Sequence, residues 1–197
     1  GASVQAGSGG APYRKASFPA GCLGQAVLAE HLDLNEDPHQ IKGKGSAMFD
    51  DEGVATRPRK VVEAGRVLGY FLSSYSARKL GMRTTGHAGG AHNLALTSRL
   101  TQPGDDLEAM LRRLDRGLFV TELMGQGVNG VTGDYSRGAA GFWVERGRIV
   151  HPVHEVTIAG NLRDMLRGIV AVGADAYTSG SRTTGSVLIE RMKLAGA

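Results

Sequence analysis

One cysteine and one tryptophan are all that this chain of 197 residues carries of those two types, and it has only six prolines. A lone thiol, Cys22, can close no internal disulfide and rules out a cysteine-cluster zinc site. Nothing in the sequence asks for an oxidising compartment, so a cytoplasmic setting is the expectation. No run of about 18 apolar residues occurs, so no membrane-spanning helix is expected. The opening Gly1-Ala-Ser-Val-Gln-Ala6 lacks the basic and then apolar stretch of a secretory signal. It also lacks an initiator methionine, which reads as a fragment or a processed chain.

Glycine is what the chain has in excess, at 30 residues. That is about twice ordinary usage, and without a Gly-X-Y period it excludes collagen. Apolar residues at 41% and charged residues at 21% describe an ordinary globular domain with many tight turns. The net charge of +4 is mild and acidic residues are interspersed with the basic ones, so charge gives little ground for nucleic-acid binding.

Hydrophobic patterning predicts the elements. Lys60–Leu72 reads as two apolar runs around Glu63-Ala-Gly-Arg66, a β-hairpin with Gly65 in the turn. Gly141–Val150 repeats the device with Gly147. Tyr13–Phe18 alternates like a strand, while Leu118–Met124 and Ser186–Glu190 read as short buried strands. The acidic stretch Leu32–His39 reads as polar, and Pro38 breaks any helix there. Three helices are predicted. Ser74–Leu80 has a serine cap and Gly81 as its stop. In Asp106–Leu114, Leu107, Met110, Leu111 and Leu114 form a core-facing stripe that Gly117 ends. Asn161–Val170 is capped by Asn161, with Leu162, Met165, Leu166, Ile169 and Val170 on one face. Hairpins with irregularly interposed helices predict an α+β fold of mostly antiparallel sheet, with barrel-like closure as an open alternative.

Candidate chemistry is sparse. The pair His154-Glu155 has no second histidine one turn on, and Pro152 makes His151–His154 extended rather than helical. Asp50-Asp-Glu52 reads as a solvated turn. No Gly-x-Ser-x-Gly elbow frames a serine; the nearest match is Gly7-Ser-Gly9. His87 and His92 flank Ala88-Gly-Gly-Ala91, where a glycine-rich loop could turn two imidazoles into one pocket or hold them on backbone carbonyls. Gly125-Gln-Gly-Val-Asn-Gly130 has the spacing of a dinucleotide fingerprint, but the residues that follow cannot open an amphipathic helix. The strongest constellation is the run Gly125–Trp143, with six glycines around Asp134, Tyr135 and Arg137. Such a run could bring backbone groups to an extended peptide by strand addition, or could be a glycine-rich crossover in a barrel. The candidate residues for substrate or partner binding are therefore His87, His92, Gly125, Gln126, Gly127, Asp134, Tyr135 and Arg137. No catalytic and no metal-binding residue is assigned.

Met124–Val144, Ser73–Gly81, Thr85–Asn93, Tyr13–Phe18 and Ile158–Leu162 with its following helix resemble the TldD/PmbA family, in its PmbA (TldE) branch. The resemblance spans residues 1–197 and implies that the chain is the C-terminal portion of a member, with the N-terminal half absent. It implies a cytosolic metallopeptidase assembly that pairs a TldD-type with a PmbA-type subunit. That assembly matures peptide precursors, modified antibacterial peptides among them, and degrades unfolded polypeptides. An older family name is modulator of DNA gyrase. In TldD-type subunits a His-Glu-x-x-x-His helix and a later cysteine hold zinc. This sequence has neither, as the PmbA branch implies. The expectations are a chain without its own metal, zinc in a TldD-type partner, an extended peptide as substrate, and a dimer that is a heterodimer or a homodimer. The alternatives are a metal-dependent peptidase in its own right, with ligands among His87, His92, His151 and His154, and a nucleic-acid-associated gyrase modulator.

Overall fold

The computed structural model describes residues 21–125 and 127–196. Tyr13–Phe18, Gly7–Gly9 and Gln126 lie outside them. Strands β1 (Leu32–Asp37), β2 (Arg59–Glu63) and β3 (Arg66–Val67) come first. Helix α1 (Ser74–Lys79), β4 (Asn93–Ser98) and α2 (Leu107–Leu114) follow. Then come β5 (Gly117–Met124), β6 (Asp134–Glu145), β7 (Arg148–Asn161) and α3 (Leu162–Arg167). The last strands are β8 (Ile169–Val172), β9 (Tyr177–Ser179), β10 (Arg182–Thr184), β11 (Val187–Ile189) and β12 (Lys193–Ala195).

Three sheets result: β3-β2-β1-β4-β10-β9, β12-β7-β6-β5, and the pair β11-β8. Only β10 and β4 run parallel among the pairings of the described strands. The α+β, mostly antiparallel reading holds. Each sheet is open with two edges, so the described strands do not close into a barrel.

Turn chemistry explains the hairpins. Ala64 and Gly65 take φ of 49° and 71°, and Arg146 and Gly147 take 52° and 71°. Two successive positive φ values match the right-handed twist of the flanking strands. Gly65 is also required by space, because a Cβ there would lie 2.4 Å from the Leu28 carbonyl oxygen. Side-chain oxygens cap the helices: Asn161 accepts from Arg163 N–H as expected, a serine, Ser73, caps α1 by accepting from Ser76 N–H, and Asp106, read as the first residue of its helix, accepts from Ala109 N–H as its cap.

The acidic stretch Leu32–His39 holds no helix and contains β1, which sits inside the six-stranded sheet between β2 and β4. Its phase puts Leu32, Leu34 and Glu36 on one face. Three expectations are corrected. Helix α2 ends at Asp115, which takes φ 56°, and Gly117 opens β5 instead. Helix α3 stops at Arg167, and Ile169 and Val170 turn into β8 rather than extending a helical face. Strands β5 and β11, expected to be buried, are half-buried or exposed along their length.

The core lies where the sheets meet. Cys22, Val27, Tyr135, Ala139, Val156, Ile158 and Leu162 form one buried cluster. Val61, Val62, Phe71 and Leu94 form a second, and Leu32, Ile169 and Val172 a third. Leu28 packs against all three and joins them. Each such buried aliphatic side chain contributes roughly 1.5–3 kcal/mol.

Candidate functional site

The candidate residues fall into two groups on two different sheets. The first is built around Glu36 of β1, a residue only 2% exposed. His87 Nε2 faces its two oxygens at 3.0 and 2.8 Å. Arg59 Nε donates to Oε2 at 2.8 Å, and the His92 N–H donates to Oε1 at 2.8 Å. Burial alone would raise this carboxyl, but the hydrogen bonds from His87, Arg59 and His92 N–H pull it from 4.5 down to about 2. Arg59 also donates to the Tyr70 carbonyl at 3.0 Å and lies 4.9 Å from the Phe71 ring centroid. The Phe71 edge meets His87 at 5.1 Å.

His87 and His92 are both buried and their rings stack at 5.0 Å, tilted by 22°. His87 Nδ1 faces the Thr85 hydroxyl at 2.9 Å. Neither ring is held on a backbone carbonyl. Nε2 of His92 is buried with no hydrogen-bond partner among the described residues. Burial lowers the His92 pKa, and His87 and Arg59 act in the same direction against Glu36. Asp50 holds the loop between the histidines from below. One of its oxygens accepts the Ala88 N–H at 2.9 Å, and the other accepts those of Glu52 and Val54 at 2.9 Å. Burial opposes its ionisation, yet these three bonds keep its pKa below the usual carboxylate value. The expected solvated turn thus contains a buried acid.

The second group is the glycine-rich run. It is a loop only as far as Gly133; Asp134–Trp143 belong to β6. Gly125 takes φ 71° and is exposed, as is Asp134. A Cβ on Gly127 would fall 1.4 Å from the Ser136 carbonyl oxygen, so backbone runs directly against backbone there. Ser136 N–H donates to the Gly127 carbonyl at 2.6 Å. Asp134 accepts from the Thr132 hydroxyl at 2.6 Å and stabilises its own turn. Tyr135 points into the core. Arg137 donates to the Leu123 carbonyl at 3.3 Å and braces β5, and its Nε is buried without a partner among the described residues. Strand β6, not a helix, follows Gly130, so the dinucleotide reading has no structural basis. His151 and His154 are both exposed on β7, where a bulge at Glu155 (φ 55°) breaks the alternation.

Sequence reasoning missed Glu36, Arg59 and Asp50, and it missed a groove of about 830 Å³. Its wall carries Leu107, Leu111 and Leu114 of α2, and its floor includes Leu118, Tyr135 and Ile158. The opposite wall is the segment from Ser186 to Leu194. Strand β5 borders this groove and is an edge of its sheet, so one side of its backbone pairs with no other described strand.

The described residues do not fit a catalytic zinc. No group of three or more His, Cys, Asp or Glu side chains converges among them. The Glu36 oxygens are taken by Arg59, His87 and the His92 N–H, so this carboxylate and the two imidazoles beside it form no three-ligand set.

Residues 1–196 match the family described as PmbA/TldA metallopeptidase C-terminal domain. The chain is 52% identical over 193 residues to metalloprotease PmbA of Escherichia coli O157:H7, covering 98% of this chain and 42% of that protein. It is 50% identical to the metalloprotease PmbA homolog of Haemophilus influenzae, covering 96% of this chain and 41% of that one. The crystal structure of a putative modulator of DNA gyrase from Bacteroides thetaiotaomicron superposes with a TM-score of 0.90 at 30% identity, over 100% of this chain and 44% of the other. TldE from Thermococcus kodakarensis superposes with a TM-score of 0.83 at 25% identity, over 98% and 46%. The chain thus spans less than half the length of these relatives. With its matching sequence and fold, it belongs to the PmbA/TldD metallopeptidase family.

Proposed function

We propose that the chain is the peptide-holding part of a PmbA/TldE-type subunit. That subunit is non-metallated and pairs with a TldD-type subunit carrying the zinc that cleaves. The pair is cytoplasmic, and its substrates are peptide precursors and unfolded polypeptides. The observation that carries this reading is the groove beside β5. It combines an apolar lining with an unpaired strand edge, the two features by which an added strand is bound: main-chain hydrogen bonds give affinity and side-chain pockets give selection. A folded protein could not present such a segment, whereas a precursor or an unfolded chain could. The saturated Glu36 carboxylate supports the non-metallated part of the reading.

The test uses the full-length parent protein, alone and mixed with a TldD-type subunit, with metal content and peptide cleavage measured together. Zinc and cleavage that appear only on mixing are expected. Stoichiometric zinc with cleavage by the parent alone would overturn the reading and make the chain a peptidase in its own right. Sedimentation of the same samples distinguishes a heterodimer from a homodimer.

A further inference from the structure

A second, smaller cavity of about 190 Å³ lies between the 40–44 loop and the β9–β10 hairpin, beside Asn93. Its lining holds two cations, Lys42 and Lys44, and no carboxylate. Neither ammonium enters an ion pair among the described residues. Thr178, Ser181 and Thr183 also line the cavity, with the Thr178 and Thr183 hydroxyls hydrogen-bonded to each other at 2.8 Å.

The loop that carries the lysines is seated firmly. Asn93 is 7% exposed and anchors it from below. Its Oδ1 accepts the Gly45 N–H at 2.8 Å, and its Nδ2 donates to the Ser46 hydroxyl at 2.8 Å and the Asp37 carbonyl at 2.9 Å. The glycines on either side of Lys44 allow no side chain. A Cβ on Gly43 would sit 2.6 Å from Asn93 Nδ2, and one on Gly45 would sit 2.8 Å from Ser181 Cβ. Lys42 takes φ 59°, a left-handed conformation that a lysine adopts only when its surroundings fix it. Two exposed lysines without an ion pair thus stand with hydroxyl-bearing residues around a cavity whose backbone is already fixed, a setting that favours an anion.

We propose that this cavity binds a small oxyanion, either a phosphate group or the terminal carboxylate of a peptide. The cavity is large enough for a group of that size, and its lining carries positive charge and no carboxylate. The site is independent of the groove beside β5 and of the peptide-holding role.

The test is a titration of the ¹⁵N-labelled chain, following the Gly43 and Gly45 amides, with inorganic phosphate in one arm and N-acetylglycine in the other. The expected result is a saturable shift of both amides with at least one probe, weakening as salt rises. The double variant K42Q/K44Q should weaken it about tenfold or more, while K60Q, which removes a cation on β2, should leave it unchanged. Stronger response to phosphate assigns a phosphate ligand, and stronger response to N-acetylglycine a peptide terminus. No saturable shift with either probe, or an equal response in K42Q/K44Q, would overturn the proposal.

Discussion

The Glu36 carboxylate lies 2.8 Å from the His87 imidazole in the interior of the molecule, and that contact ties β1 to the glycine-rich loop 86–92. The bond spans 51 residues of sequence, so it holds two elements that the chain order does not bring together. Its consequence is a dependence of stability on pH. The folded Glu36 pKa of about 2 lies below the ordinary 4.5, so the folded state binds this proton less readily than the unfolded chain. The stabilisation is complete above pH 4.5 and is lost as pH falls towards 2. Its size is on the order of 3 kcal/mol. His92 adds an earlier loss. Its folded pKa is lowered from 6.5, so acid favours the unfolded chain from that pH downward. Chemical denaturation across pH 7 to 2.5 should show stability declining first as His92 is protonated and again below about pH 4.5, and Glu36→Gln should shrink the lower decline to the part that Asp50 contributes. A single step confined below pH 4 would contradict the role assigned to His92.

Arg59 serves the same carboxylate in a way that lysine cannot copy. Its Nε reaches Glu36 while its Nη1 reaches the Tyr70 carbonyl, and its flat guanidinium lies over Phe71. A lysine is a point charge without the fork or the stacking plane. Arg59→Lys should cost about 1–3 kcal/mol of unfolding free energy although it preserves charge. Arg59→Met should cost more, about 3–5 kcal/mol, because it leaves the buried carboxylate short of a partner. Equal stability of the lysine variant and the parent would mean that charge alone matters here.

Glycines in this chain differ in why they are there, and substitution should separate them. A methyl on Gly127 would collide with the Ser136 carbonyl at 1.4 Å, whereas one on Gly104 would meet nothing within 4 Å. Gly127→Ala must therefore push the 125–133 loop away from β6 and should lose more than about 3 kcal/mol. Gly104→Ala should stay within about 0.5 kcal/mol, as surface changes do. Thermal melts of the two variants check this directly.

These cases also indicate how far the sequence could be read. The hairpins at Ala64-Gly65 and Arg146-Gly147 were legible because a positive-φ turn leaves a local mark: glycine between apolar runs. The cap residue Asn161 was legible for the same reason. Glu36 was not, because an acid amid Asp33, Asn35 and Asp37 looks like solvated loop. Its phase with Leu32 and Leu34 was the available signal, and it needed the strand assignment first. The stacking of His87 on His92 depends on a partner 51 residues upstream, which no local pattern encodes. The groove was hidden for another reason. The stripe Leu107, Met110, Leu111, Leu114 has one appearance in sequence whether it faces a core or a ligand. Only Met110 of the four is fully buried.

That stripe leads to a direct test of peptide holding. Leu107 of α2 and Val187 of β11 both line the groove and are 38% and 40% exposed. Side chains this accessible contribute little to folding, so Leu107→Ser and Val187→Thr should each change stability by less than about 1 kcal/mol. If the groove seats apolar side chains of an extended peptide, the same changes remove buried contact from the bound state. Affinity for an unstructured apolar peptide should then fall about tenfold, which fluorescence anisotropy of a labelled peptide can measure. Leu32→Ala provides the opposite pattern. Leu32 is fully buried beneath β8, away from the groove lining, so its truncation should cost about 2–5 kcal/mol of stability. Below its lowered melting temperature that variant should still bind peptide as the parent does. Stability and binding would then separate by position, as a groove built for a ligand requires. If peptide affinity instead followed stability through all three variants, the groove would be only an uncovered part of the core.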